Sequence, residues 1–204
     1  MASAAVASGF DFTFHVARLC DDLCTRLPEL AHVDMSRVAI RYCQARKAVS
    51  HGVQATLTPL RFAGGSLSTV RGGRHYSIER IFDPSSGREM LYLLSFYLPR
   101  FLNLPFAEKL ATVIHELWHI SPDFDGDLRR FSGRCYAHGH REEDYHAAMS
   151  QLAAQWLALS PPEDVYCFLH DDFRGLRERF GAVYGTRIAT PKLVAAAADL
   201  RQKN

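Results

Sequence analysis

The chain has 204 residues, 48% of them apolar and 23% charged, with 24 Lys and Arg against 22 Asp and Glu. That balance excludes a disordered polyelectrolyte and is neutral on nucleic acid. The length suits one globular domain over residues 1–204, with no linker-like stretch inside it.

Cys20, Cys24, Cys43, Cys135 and Cys167 form an odd set without a C-x-x-C pair, which fits reduced thiols in the cytoplasm better than a secreted disulfide framework. Cys20 and Cys24 stand one helical turn apart, so packing is their first reading and a second metal site the lesser one. The opening "MASAAVASGFDF" lacks a basic region and an apolar run of signal-peptide length. No stretch reaches the ~18 apolar residues that a membrane span needs, so a soluble cytoplasmic protein is expected.

Phe12, Val16, Leu19, Leu23 and Leu27 recur three and four apart and predict a helix ending before Pro28. Val38, Ile40 and Tyr42 then alternate with Arg37, Ala39 and Arg41, and the run from Val53 to Phe62 is rich in Val, Thr, Leu and Phe; both read as strands. "RFAGGSLSTVRGGR" has glycine pairs but no phosphate-loop or dinucleotide pattern and reads as a flexible loop over the site. "RHYSIERIFD" and the almost wholly apolar "REMLYLLSFYL" predict two more strands, the second well buried. Short Gly, Ser and Pro turns between these runs point to antiparallel pairing in a meander. A helix is predicted to Ile120 after Pro105, another from Arg141 to the stop at Pro161, and a third from Asp164 to Phe180, followed by the extended "VYGTRIATPKLV". The expected fold class is α+β: a small, mostly antiparallel sheet of about four strands packed on the N-terminal helix and the helix after Pro105, with further helices following.

The helix after Pro105 carries "HELWH". At ~100° per residue, Phe106, Leu110, Val113, Ile114, Leu117 and Ile120 share one arc and leave His115 and His119 outside it, with Glu116 a quarter turn away. Imidazoles four apart on a helix can aim at one zinc ion, and Glu116 is placed to act as general base toward a water that zinc acidifies. A catalytic zinc needs a third protein ligand. The metzincin spacing would place it at Asp125, but Pro122 stands where that turn requires glycine. Glu142 or Glu143 on the next helix could serve, or act only as first-turn acids. His138 and His140 flank Gly139, where the chain can bend back; His138 is the first choice, with His140 facing the other way. Tyr136, Tyr145 and His146 are candidates to steady a developing oxyanion.

His115 to His119, then Phe124-Asp125-Gly126, then His138-Gly139 resemble the phage- and archaeal-type metallopeptidase family, an H-E-x-x-H zincin group with a minimal gluzincin-like core. The likeness is specific over residues 101–139 and architectural elsewhere. It implies a zincin-like fold and Zn2+ held by His115, His119 and His138, with Glu116 as base and a peptide or protein as substrate. Two readings compete with a peptidase: a zinc-stabilised, non-catalytic binding or scaffold domain with its fourth position closed, and a zinc hydrolase of a non-peptide substrate such as RNA or an amide metabolite. The basic spots Arg71, Arg74, Arg129, Arg130 and Arg134 lack aromatic interleaving and read as solvated loop charge, so no nucleic-acid partner is indicated.

Overall fold

The computed structural model describes residues 9–45, 52–130 and 142–195, without the side chains of 142–146. Its organising element is β6 (Tyr92–Leu98), the most apolar strand, in which Tyr92, Leu93, Leu94 and Phe96 have no solvent exposure. A strand buried on both faces belongs inside a sheet, and β6 lies between β2 (Val38–Gln44) and β3 (Ala55–Pro59).

The pairing corrects the expected meander. β2 and β6 run parallel, from Val38 opposite Tyr92 to Gln44 opposite Leu98, while β3 runs antiparallel to β6. Insertion of β6 between two strands adjacent in sequence makes the small sheet mixed, and it leaves β3 at an edge.

A second, antiparallel sheet is built from β4 (Ser68–Arg71), β5 (Arg74–Ile78) and β8 (Leu193–Ala195). Gly72 and Gly73, at φ of 57° and 75°, form the two-residue turn between β4 and β5. Positive φ at both positions suits a primed hairpin turn, so part of the stretch expected as a flexible loop is a strand. β1 (Phe10–Asp11) and β7 (Val183–Tyr184) add a short parallel pair that joins the start of the described chain to the segment after the last helix.

Helix α1 (Phe12–Arg26) starts where Asp11 accepts a hydrogen bond from the Phe14 N–H, and it buries Phe12, Val16, Leu19 and Leu23 along one stripe, as the spacing predicts. Cys20 and Cys24 share that stripe. Burial pushes both thiols up, Cys24 to about 12, so they pack as small apolar groups.

Helix α2 (Phe106–Trp118) lies against α3 (Glu142–Ala158), whose Trp156 is fully buried and donates Nε1–H to the Asp22 carboxylate of α1 at 2.8 Å. The third predicted helix is broken. α4 (Glu163–Tyr166) and a 3-10 turn over Cys167–His170 end at Asp171, which is extended, and Asp172 caps the new helix α5 (Phe173–Phe180) by accepting from the Gly175 N–H at 2.6 Å. Lys109 of α2 is buried at this break and donates to the carbonyls of Leu169 and Asp171 at 2.9 and 2.6 Å. No helix among the described residues is long and apolar enough to cross a membrane.

Glu89, just before β6, binds the guanidinium groups of Arg80 and of the buried Arg61, and together they hold its carboxyl at about 2. Its folded pKa lies below the unfolded value near 4.5, so the stabilisation is full above that value and is lost as the pH falls toward 2. Glu89→Gln should therefore cost about 2 kcal/mol at pH 7 by denaturant titration. The gap from the unaltered protein should close between pH 5 and 2.

Candidate metal centre

The site grows from the burial of one face of α2. Leu110, Val113, Ile114 and Leu117 have no solvent exposure, which turns His115 and His119 toward a half-buried opening. Their Nε2 atoms approach to 2.8 Å, with ring planes at 77° and centroids 4.6 Å apart. Glu116, between them in sequence, is more deeply buried than the histidines, at 8% exposure. Desolvation pushes its carboxyl up to about 7, opposed by a hydrogen bond from the backbone of Leu57.

Leu57 belongs to β3, and the register shows how this backbone group comes to face the helix. Tyr97 donates to the Gln54 carbonyl and Leu60 to the Leu91 carbonyl, both at 2.9 Å. In an antiparallel ladder this alternation turns the even-numbered residues of β3 toward β6 and the odd-numbered Ala55, Leu57, Pro59 and Arg61 toward the free edge. The general-base candidate therefore sits beneath an edge strand.

The chain leaving α2 turns back on itself. Ile120 bridges Leu128, the Arg129 N–H donates to the His119 carbonyl at 2.8 Å, and the Arg129 guanidinium donates to the Trp118 carbonyl while lying 4.2 Å from the Trp118 ring centre. Between these contacts, Tyr92 of β6 donates its hydroxyl to the Asp127 carbonyl at 2.9 Å and accepts from the Gly126 N–H at 3.0 Å. Gly126, at φ 90°, presses so close to Arg61 that a Cβ would stand 2.5 Å from its Cγ. The Gly126 carbonyl accepts from the Arg61 N–H at 3.0 Å, and the Asp127 carboxylate accepts from the Gly64 N–H at 3.1 Å. This return loop thus joins the end of the histidine helix to the chain that continues β3.

The donor set fits zinc in type and direction. Two Zn–N bonds of ~2.0–2.1 Å at a tetrahedral angle place the nitrogens about 3.3 Å apart, so the imidazoles need to spread by about half an ångström. Among the described residues no group of three His, Cys, Asp or Glu side chains converges on one point. Asp125 is engaged elsewhere, accepting from the Asp127 N–H at 3.0 Å, and it does not join the histidines. His138, His140 and Tyr136, and the side chains of Glu142, Glu143, Tyr145 and His146, lie outside the described residues.

Sequence reasoning missed the roles of Leu57, Tyr92, Arg61 and Gly126. Only the glycine beside two aspartates gave a local sign of an unusual turn. A cavity of about 300 Å³ lined by Thr13, Phe14, Met35, Val38, Ile40 and Thr186 lies between α1 and β2 and includes none of the motif residues. Comparison with family models, with curated proteins and with solved structures finds no match to this chain.

Tyr92→Phe keeps the ring but strands the Gly126 N–H and the Asp127 carbonyl, a loss of about 1–3 kcal/mol. Amide exchange at Gly126 should accelerate well before global unfolding, and unchanged protection there would show that the hydroxyl does not hold the return loop.

Proposed function

We propose that the chain is a zinc-dependent metallopeptidase with a zincin-like fold that hydrolyses peptide bonds, with His115, His119 and His138 as metal ligands and Glu116 as general base. The observation that carries this reading is the convergence of the two Nε2 atoms to 2.8 Å next in sequence to a buried carboxylate, near the edge strand of the described sheet. Neutral imidazoles are suited to zinc, and a desolvated carboxylate next to them is suited to exchanging a proton.

Bound at these histidines, zinc would supply Lewis acidity to a water and to the scissile carbonyl. The chain's own residues do the rest. The outer edge of β3, which pairs with no further strand among the described residues, can hold an extended peptide by main-chain hydrogen bonds and so lay one peptide bond across the opening. Glu116 takes the proton of the attacking water on its carboxylate and delivers it to the departing amine. Arg129 fixes the last turn of α2 through the Trp118 and His119 carbonyls and thereby holds His119 in direction. A dication nearby favours the ionised form of Glu116, offsetting the desolvation that raises its pKa. The free thiols of Cys20, Cys24, Cys43 and Cys167 support action in a reducing compartment such as the cytoplasm.

Three variants test the assignment by metal analysis and peptide hydrolysis together. Glu116→Gln should keep its zinc and lose on the order of 10²–10⁴-fold in kcat/KM, because only the proton acceptor is removed. His119→Ala and His138→Ala should each bind zinc at least tenfold more weakly. An undiminished rate in the glutamine variant would remove Glu116 from the reaction, and unchanged zinc affinity in His138→Ala would require another third ligand.

A further inference from the structure

The edge that faces Glu116 is bounded, and the boundary bears on which peptides fit. Of the outward-facing residues of β3 and its continuation, Leu57 is turned to Glu116, Pro59 has no N–H to offer, and the Arg61 N–H is bonded to the Gly126 carbonyl at 3.0 Å. At Arg61 the return loop thus occupies the ladder position that a bound peptide would otherwise take. A rigid stop is the consequence, since Gly126 is tied by the Tyr92 hydroxyl, packed on the Arg61 side chain, and flanked by Asp127, whose carboxylate accepts from the Gly64 N–H.

The opposite end is unlike this one. There the Val53 carbonyl accepts from the Arg100 guanidinium at 2.7 Å, a side-chain contact and not a backbone ladder bond.

Resting on the peptidase reading, we infer that the return loop closes one end of the substrate cleft, so that the enzyme accommodates only about three residues on one side of the scissile bond. The count follows from the strand: Leu57, beside Glu116, and Arg61 are four residues apart, or ~13 Å at ~3.3 Å per residue, which leaves room for about three extended residues before Gly126. An antiparallel peptide, the more stable pairing, would point its N-terminal residues at the stop. Cleavage therefore falls near a chain end, and a long peptide enters from the Val53 side.

The test is digestion of a randomised library of free-ended undecapeptides by the zinc-loaded full chain, with cut positions read by mass spectrometry. Amide exchange at Ala55 in the metal-free chain, with and without the same library, reports docking on β3 apart from turnover. The inference expects slowed exchange at Ala55 and cuts within three bonds of one terminus, with central bonds cut at least tenfold less often; the terminus that is used reports the direction of the bound strand. Cuts spread evenly along the peptides would overturn the closed end while leaving the peptidase reading standing. Absence of any cut overturns the peptidase reading, and the closed cleft with it.

Discussion

Burial of the apolar stripe of α2 is the constraint on which the site depends. Leu110, Val113, Ile114 and Leu117 leave water completely, and a helix pinned on that face has no freedom to rotate. Rotation by a single residue, ~100°, would bring a histidine into the core or a leucine into solvent, at about 1.5–3 kcal/mol for each large apolar side chain exposed. The direction of His115 and His119 is therefore a by-product of packing. Lys109 strengthens the same constraint, because its buried ammonium donates to two carbonyls at the break between the 3-10 turn and α5 and holds α2 against sliding.

β6 supplies the other half of the frame. Its apolar residues place it at the centre of the sheet, and its first residue, Tyr92, reaches with its hydroxyl to the loop that leaves α2. One strand thereby fixes the position of β3 by ladder pairing and that of the return loop by a side chain. The two walls of the cleft are referred to a common element, so their separation varies little as the surface moves.

The elements were legible where periodicity was long and unbroken. α1, α2 and the four main strands could be read because burial of one face imposes a repeat that survives in the order of residues. Pairing was not legible, because the identity of a strand's neighbour depends on which run is most apolar in competition with the others, and no local residue in β2 or β3 records that β6 will come between them. β4 was missed although Gly72 and Gly73 mark its turn, because Ser68–Arg71 is exposed and carries little apolar alternation. The break at Asp171 was hidden by helix-forming residues on both sides, and only the capping preference of Asp172 pointed to it. At the site, the partial exposure of His115 and His119 follows from their angle outside the apolar arc. The burial of Glu116 was not legible, since a helical wheel cannot show what packs over a helix.

The core among the described residues is of the size that holds a fold without a metal cross-link. Small domains that depend on zinc use it in place of a core, whereas here more than thirty apolar residues are buried in one connected cluster that runs from α1 through β6 and α2 to α3 and α5. The histidines lie at the rim of that cluster, where cross-linking them adds little to what the stripe of α2 already fixes. A buried carboxylate beside them is also a cost with no structural return: desolvation raises its pKa, and one backbone hydrogen bond from Leu57 only partly offsets this. A scaffold would be more stable with an apolar residue at position 116. A buried acid next in sequence to two convergent imidazoles is the kind of arrangement expected at a proton-transfer site rather than at a purely structural ion.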